Sequence, residues 1–231
     1  MKTEKYEISN NGIDLEISKS EIMRYLGYKK DSSDKRLDVE IMDAVEELQR
    51  TALFNYVYKD FDVKKDEDSL IFKDSSIITE SKKLRSHLIN SNRAVVMAVT
   101  LGFQVEKKLK YYSKLDLSKG IVYEACAAAL IEELCDYVQR EVEAEANEEG
   151  YYITDRYSPG YGDLSLEVQP HIIKALDAQK RIGLSTTENH ILIPRKSVTA
   201  IIGLTVEDDN SSTGCWDCNL VDDCDYKNKG E

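Results

Sequence analysis

Residues 156–161, RYSPGY, combine side chains that suit the binding of a charged small molecule. The guanidinium of Arg156 can bind a carboxylate through paired hydrogen bonds. Gly160 lets the backbone pass close to a ligand, Pro159 fixes the direction of the chain, and Tyr161 offers a ring face to a cation or a hydroxyl to a polar group. A zwitterionic ligand with an added positive centre would use all of these groups. A surface turn with an ion-paired arginine is the other interpretation that the residues leave open.

Three thiols near the C-terminus form a second group that could do chemistry. Cys215 and Cys218 have the CxxC spacing that lets two thiolates bind one metal ion or form a redox disulfide, and Cys224 follows six residues later. Three thiols are one short of the four ligands of a closed zinc site or a typical iron–sulfur cluster, so a fourth would come from elsewhere or from a partner. The pattern predicts a metal or redox centre, and a reduced acidic tail without a site is the alternative.

The other cysteines and the histidines favour structural roles. Cys126 and Cys135 are nine residues apart in a predicted helix, which places them on opposite faces, and the small apolar neighbours of Cys126 are typical of a packed thiol. His87, His171 and His190 share no metal-binding spacing, so we expect hydrogen-bonded or solvent-facing imidazoles. The sequence contains no GxGxxG, GxSxG or Walker-type loop, which removes the commonest nucleotide-binding and hydrolase signatures.

Composition and charge limit the kinds of partner that this chain can bind. The chain has 231 residues and a formal net charge of −12, which disfavours nucleic acid because phosphate binding needs a basic surface. Half of this charge lies in residues 207–231, where eight acidic side chains accompany two lysines. No apolar run is long enough to span a membrane, and the first residues lack the apolar core of a signal peptide. The sequence therefore predicts a cytoplasmic protein that contacts no membrane.

Periodicity and turn signals predict the elements that must position these residues. Apolar residues at helical spacing predict helices that begin at Ser18 and that cover residues 33–59, 83–89, 117–147 and 170–183. Apolar runs predict short strands within residues 61–79 and strands at 93–102, 189–194 and 197–206. Because helices and strands do not alternate regularly, we expect an α+β fold. It would form one domain over residues 1–206, followed by an acidic cysteine-containing tail over 207–231.

The segment that begins at RYSPGY resembles the S-adenosylmethionine-binding reactivation domain of cobalamin-dependent methionine synthase, in a stand-alone form. That family has an arginine, two variable residues and Pro-Gly-Tyr, then a helix that ends in Ile-Gly, a Leu-Thr-Glu-like strand entry, a proline and a Ser-Val-Ser-Gly-like strand. The matching residues are Arg156, Pro159, Gly160, Tyr161, Ile182, Gly183, Thr187, Glu188, Pro194, Ser197 and Val198. The resemblance is good over residues 117–206 and looser before them.

The resemblance implies a fold, a ligand and a task. The fold is a C-shaped α+β domain around a twisted antiparallel sheet flanked by helices. The residues implied in binding S-adenosylmethionine are Arg156, Ser158, Pro159, Gly160, Tyr161 and, on the long helix, Glu132. The task is reductive methylation of cob(II)alamin, in trans, on a cobalamin-binding methionine synthase or a related corrinoid protein, with an electron from a flavodoxin-like donor. Low-valent cobalt on the partner is the nucleophile, so no catalytic residue is required.

Two departures from the family pattern leave alternatives open. GDLSLE, residues 162–167, replaces a Pro-Cys-Pro-Asp-His segment after the tyrosine, and the cysteine tail is absent from the fused domain. The leading interpretation is a methyltransferase-associated reactivation component in methionine biosynthesis. One alternative is a corrinoid reductase that uses a cysteine-bound metal or iron–sulfur centre without methyl transfer. The other is a non-catalytic factor that docks onto a corrinoid protein.

Overall fold

A computed structural model describes residues 5–28 and 35–206. The predicted cysteine site at Cys215, Cys218 and Cys224 therefore lies outside the described residues. The chain divides into two compact units. Unit 1 takes its described residues from Met1–Tyr56, Val99–Val138 and Ile193–Val198, and unit 2 takes them from Val57–Ala98, Gln139–Leu192 and Thr199–Glu231. A single domain over residues 1–206 stays a prediction.

The described residues form seven α-helices and ten β-strands, labelled in chain order. The helices are α1 (Lys19–Tyr25), α2 (Lys35–Thr51), α3 (Lys82–His87), α4 (Phe103–Leu115), α5 (Leu117–Glu148), α6 (Gln169–Ala175) and α7 (Ala178–Ile182), with a 3₁₀ turn at Leu166–Val168. The strands are β1 (Lys5–Asn10), β2 (Ile13–Ser18), β3 (Asn55–Lys65), β4 (Leu70–Phe72), β5 (Ile78–Thr79), β6 (Ser91–Thr100), β7 (Tyr152–Ile153), β8 (Ser185–Thr186), β9 (Leu192–Ile193) and β10 (Ser197–Thr205). Within residues 5–28 and 35–206, no helix combines the length and apolar character needed to cross a bilayer.

Unit 1 begins with a β-hairpin that was not predicted from the sequence. β1 and β2 pair antiparallel, and Asn11 and Gly12 form the turn with φ values of 53° and 79°. An Asn-Gly pair with positive φ at both positions is a preferred two-residue hairpin turn, so a signal was present in the sequence. Ile13, Leu15 and Ile17 alternate as buried residues along β2, which gives the hairpin one apolar face.

Two local contacts position the first helices of unit 1. α1 begins as predicted, because the hydroxyl of Ser18 accepts the backbone N–H of Glu21 at 3.2 Å. α2 contacts β1 through the side-chain amide of Gln49. Its Oε1 accepts a hydrogen bond from the backbone N–H of Ser9 at 2.9 Å, and its Nε2 donates to the backbone carbonyl of Ser9 at 2.7 Å. The two hydrogen bonds pair the backbone N–H and carbonyl of Ser9, which lies on the outer edge of the hairpin.

Most of unit 2 is built on a six-stranded sheet with the order β5-β4-β3-β6-β10-β7. The pairs β3–β4, β4–β5 and β10–β7 are antiparallel. β6 and β10, which correspond to the strands predicted at 93–102 and 197–206, are central and almost wholly buried. This antiparallel sheet with its flanking helices confirms the predicted α+β fold class.

The core of unit 2 joins one face of the sheet to its helices. It combines β3 and β6 side chains with Leu84 of α3, Leu164, Ile172 of α6 and Leu184. Leu164 is 2% exposed and follows the RYSPGY segment by three residues. Burial of this leucine therefore fixes the C-terminal end of that segment against the core.

α5 confirms the long helix predicted over residues 117–147. The boundary between the two units falls within it, between Val138 and Gln139. Cys126 and Cys135 are both buried although they lie on opposite faces, because α5 is covered on more than one side. Burial raises the pKa of the Cys126 thiol to about 12, so this thiol stays protonated at neutral pH, in agreement with the structural role predicted for it.

Two predicted helices differ from the structure, one in its C-terminal boundary and one in its continuity. The helix predicted over residues 33–59 ends at Thr51, because the residues from Asn55 onward form β3 and are recruited into the sheet. The helix predicted over 170–183 is interrupted at Asp177, whose φ of 51° lies in the left-handed region. Its predicted limits were correct, since Pro170 lies in the first turn of α6 and Gly183 ends α7 in a left-handed conformation.

Candidate functional site

Arg156 is positioned by two separate elements of unit 2. Tyr157, its neighbour, forms an antiparallel bridge with Ile201 of β10, in which each backbone N–H donates to the other's carbonyl at 2.9 Å. The half-buried side chain of Arg156 reaches α5, where Nη1 donates to Oε1 of Gln139 at 2.8 Å. Gln139 was not predicted from the sequence, because a contact between residues 17 positions apart leaves no local pattern.

Residues 158–164 form a compact turn directly after this bridge. The N–H of Tyr161 donates to the carbonyl of Ser158 at 3.1 Å, and the N–H of Gly160 donates to the carbonyl of Leu164 at 2.8 Å. Gly160 has a φ of 96°, which a side chain would disfavour. Pro159 is buried and Tyr161 is 61% exposed. The turn therefore presents the tyrosine and the glycine backbone to solvent, while the proline anchors it.

Gly162 is required by the close packing of Tyr157. The Tyr157 ring lies 5.2 Å from the ring of His87 and 6.4 Å from that of Tyr161, measured between centroids. A Cβ at Gly162 would lie 2.5 Å from the Tyr157 hydroxyl and 2.6 Å from Cδ of Lys83, and the φ of Gly162 is 54°. Gly162 lies in the GDLSLE segment, where the sequence departs from the family pattern, so the resemblance gave no reason to single out this glycine.

Asp163 connects the turn to α3. Its carboxylate accepts hydrogen bonds from the Ser81 hydroxyl and from the backbone N–H groups of Lys82 at 2.8 Å and Lys83 at 3.2 Å. Burial opposes ionisation of this carboxyl, but the hydrogen bonds outweigh it and lower the pKa of Asp163. The GDLSLE segment, where the sequence departs from the family pattern, therefore supplies its own anchor for the turn.

Glu132, the predicted carboxylate for the ligand's positive charge, lies in the unit 1 part of α5 and is exposed. Burial and, after it, the charge of Glu132 raise the pKa of Tyr25. Tyr25 lines a cleft of about 470 Å³ within unit 1, a volume that suits a small ligand. The other lining residues are Leu109, Ser113, Leu117, Gly120, Ile121, Glu124, Ala125, Ala128 and Lys196. Arg156, the other predicted ligand contact, belongs to unit 2.

The histidines and cysteines of the described ranges do not assemble a metal centre. Among residues 5–28 and 35–206, no group of three or more His, Cys, Asp or Glu side chains is arranged to hold a metal ion. His87 is hydrogen-bonded, as predicted: its Nε2 lies 2.8 Å from the carbonyl oxygen of Asp155 and 2.9 Å from Oγ1 of Thr154. The metal or redox role of the C-terminal thiols falls outside these ranges and stays a prediction.

Comparison with known proteins identifies the family of this chain. The model of the family described as "Vitamin B12 dependent methionine synthase, activation domain" matches residues 31–214. A solved structure, "Crystal Structure of the MetH Reactivation Domain bound to AdoHcy", has a similar fold with a TM-score of 0.64. It is 17% identical, and the similarity covers 93% of this chain and 82% of that one. No curated protein matches. Because the family model covers most of the sequence, this chain belongs to the activation-domain family of vitamin B12-dependent methionine synthase.

Proposed function

We propose that this chain binds S-adenosylmethionine through residues 156–161 and supports reductive methylation of cob(II)alamin on a separate corrinoid protein. The partner would be a cobalamin-binding methionine synthase or a related methyltransferase, and the electron would come from a flavodoxin-like donor. The observation that carries the proposal is the placement of Arg156 in a family-matching turn. The guanidinium is held at a fixed position beside α5, and the exposed Tyr161 lies in the same turn.

The donor set of the turn fits the amino-acid end of this ligand. A guanidinium can bind a carboxylate through two parallel hydrogen bonds, which fixes both the distance and the plane of the ligand group. The bridge between Tyr157 and Ile201 keeps the Arg156 backbone beside β10, so little reorganisation is needed on binding. The related solved structure is described as bound to AdoHcy, the product that remains when S-adenosylmethionine loses its methyl group.

The chemistry requires positioning more than proton transfer. One electron from the flavodoxin-like donor would first reduce cob(II)alamin on the partner to cob(I)alamin. The cobalt of cob(I)alamin would then supply the electron pair for the new bond to carbon, and the breaking C–S bond would leave its pair on sulfur. The sulfonium thereby becomes a neutral thioether, and no proton is transferred. The contribution of this chain is then to hold the methyl donor in one orientation, which can account for a large part of a rate enhancement.

Two further residues are assigned to the positive part of the ligand. Tyr161 can offer its ring face to the sulfonium, because 61% of the residue is exposed. Glu132 can attract the ammonium or sulfonium by charge, a role carried over from the family resemblance and supported by its exposure. Ser158 would contribute backbone groups. These assignments, like that of Arg156, rest on the chemistry of the side chains and on the family pattern.

Calorimetry with S-adenosylmethionine tests the proposal. Arg156→Ala should weaken binding about 100-fold or more, since two charge-assisted hydrogen bonds are lost, and Arg156→Lys should fall between it and the unmodified protein. Arg181→Ala is a matched control, because Arg181 is an exposed arginine of α7 in the same unit. If the unmodified protein does not bind the ligand, or if both alanine variants bind it equally well, the assigned site is wrong.

An assay with the corrinoid partner distinguishes the alternative functions. A cob(II)alamin-loaded partner, a reductant and S-adenosylmethionine with a labelled methyl group should together transfer label to the cobalt-bound fraction. A corrinoid reductase would change the cobalt oxidation state without transferring label. A docking factor would bind the partner without either reaction. A cytoplasmic location, predicted from the sequence, is consistent with all three.

A further inference from the structure

We infer that one face of α4, together with the apolar cleft beside it, is a docking surface for an acidic amphipathic helix of a partner protein. The face and the cleft both lie in unit 1, and none of their residues is assigned to ligand binding, so the inference does not depend on the proposed function. Spacings of three or four residues place a set of exposed basic and aromatic side chains on one side of the helix. This α4 face consists of Phe103, Lys107, Lys110, Tyr111 and Lys114.

The charge of the α4 face is opposite to that of the protein as a whole. Residues 103–123 contain five lysines and two acidic residues, whereas the whole chain has a formal net charge of −12. One of the two acids, Glu106, is buried; it pairs with Lys110 at 3.2 Å and also accepts the backbone N–H of Arg195 at 3.1 Å. With the charge of Glu106 included, the three lysines of the face still leave it positive. An acidic partner would therefore be attracted to it.

The two aromatic side chains add apolar area to this charged face. Phe103 is 49% exposed and Tyr111 is 54% exposed. The ammonium of Lys107 lies 5.3 Å from the centre of the Phe103 ring, and that of Lys108 lies 5.6 Å from the centre of the Tyr111 ring. Aromatic side chains are enriched at protein interfaces, and they often carry a large share of the binding energy. The face thus combines electrostatic attraction with two apolar anchors.

The cleft of about 470 Å³ borders the α4 face. Ser113 lines the cleft, and because Lys110 precedes it by three residues and Lys114 follows it directly, both lysines flank the α4 side of the cleft. Leu117 and Ile121 of α5 line the cleft as well, and both are more than half exposed. Exposed apolar side chains that gather at a cleft are typical of an interaction site.

The cleft itself carries no net charge. Its two charged lining residues, Glu124 and Lys196, form an ion pair at 3.3 Å, and its other lining residues are neutral. Apolar side chains can therefore enter the cleft, while the lysines of the α4 face attract carboxylates beside it.

An acidic amphipathic helix matches both parts of this surface. Its apolar side chains, three or four residues apart, would enter the cleft, and its carboxylates would face the lysines. Nucleic acid or an anionic membrane would also meet the negative remainder of the chain. A single helix would meet mainly the local positive field, because salt at about 0.1 M screens exposed charges that are more than about 10 Å apart. A protein partner is therefore favoured over these polyanions.

The experiment measures binding of two matched peptides to the full chain by fluorescence anisotropy. The first is a labelled peptide of about 15 residues with leucine at helical spacing and glutamate and alanine elsewhere, and the second has lysine in place of every glutamate. The test variant is the double substitution Lys110→Glu with Lys114→Glu. Its matched control is Lys174→Glu with Lys180→Glu, which makes the same change of charge at exposed lysines of α6 and α7.

The acidic peptide should bind the unmodified chain at least about tenfold more tightly than the basic peptide, and its affinity should fall as salt is raised. The Lys110→Glu and Lys114→Glu double variant should weaken it about tenfold or more, because two attractions become repulsions. Ile121→Ser should weaken it a few fold without changing the salt dependence, because apolar contact alone is lost. The control pair should change the affinity by less than about twofold. Thermal denaturation verifies that each variant is folded.

Several results would overturn the inference. They are a lack of binding by the acidic peptide, equal binding of the two peptides, and equal losses of affinity in the two double variants. Single-stranded DNA or phosphatidylserine vesicles that bind more tightly than the acidic peptide, and that depend on Lys110 and Lys114, would assign the surface to a polyanion in place of a protein. Calorimetry with S-adenosylmethionine tests the proposed function separately, and failure of that ligand to bind would leave this inference standing.

Discussion

The carboxylate of Asp163 accepts the backbone N–H of Lys82 at 2.8 Å, across 81 positions of the sequence. Two further donors, the Ser81 hydroxyl and the N–H of Lys83, converge on the same group. α3 therefore begins on a carboxylate supplied by the turn of residues 158–164, which contains Tyr161. This contact ties the turn to the helix, so the position of Tyr161 depends on a residue that does not belong to the family pattern.

Asp163→Asn should reduce stability in a pH-dependent way. The pKa of Asp163 is lowered in the folded state, so its stabilising effect is present above the unfolded pKa and is lost as the pH falls through the folded value. At pH 7 we expect a loss of about 1 kcal/mol in the free energy of unfolding, as for removal of a helix cap. The difference between variant and unmodified protein should shrink as the pH is lowered below about 4. Urea denaturation at several pH values measures this, and a difference that grows on acidification would contradict it.

Gly162→Ala should destabilise the turn through a steric clash as well as through backbone strain. The added methyl group would meet the Tyr157 hydroxyl at 2.5 Å, and the φ of 54° costs a non-glycine residue about 1 kcal/mol. Gly183→Ala is the control, since its φ is 68° and nothing lies within 4 Å of its Cβ position. Gly162→Ala should lower the melting temperature more than Gly183→Ala does. Adding Tyr157→Phe should recover part of the difference, and no recovery would show that the hydroxyl is not the obstacle.

Glu132→Gln should weaken the binding of S-adenosylmethionine more than that of S-adenosylhomocysteine. The sulfonium of the first ligand is positively charged and the thioether of the second is neutral, so loss of a carboxylate affects them unequally. We expect the ratio of the two affinities to change about threefold to tenfold at low salt, in keeping with a partly screened charge. Glu143→Gln, an exposed glutamate on the same helix, should leave the ratio unchanged. Calorimetry at two salt concentrations measures both, and an unchanged ratio for Glu132→Gln would remove it from the site.

Replacing Cys215, Cys218 and Cys224 together by serine tests the predicted metal or redox centre. If the thiols hold such a centre, anaerobically purified protein should contain bound metal or show visible absorbance, and the triple variant should show neither. Reactivation of the corrinoid partner should then slow in the variant, while binding of S-adenosylmethionine stays the same. Cys126→Ser is a poor comparison because Cys126 is buried, so the unmodified protein treated with a chelator is the better control. Full reactivation by the triple variant would exclude an electron-transfer role.

The sequence alone determined the features that depend on neighbouring residues. The hydroxyl of Ser18 caps α1 through a residue three positions later, and Gly183 ends α7 because a left-handed residue there favours glycine. The long helix α5 follows from a continuous run of good helix formers. The family resemblance likewise rests on short motifs in a fixed order between Arg156 and Val198, and the match of the family model to residues 31–214 agrees with it.

The tertiary structure decided the features whose partners are remote along the chain. Asn55 and the residues after it leave the predicted helix because they enter the six-stranded sheet as β3, and strand pairing outweighs a weak local helix preference. Gln139, Gly162 and Asp163 acquire their roles only when α5, Tyr157 and α3 are brought beside the turn. Periodicity describes which face of an element is apolar, but it does not specify which distant side chain will meet that face. The chemistry of Arg156 could thus be read from its neighbours in sequence, whereas the contacts that orient it had to come from the fold.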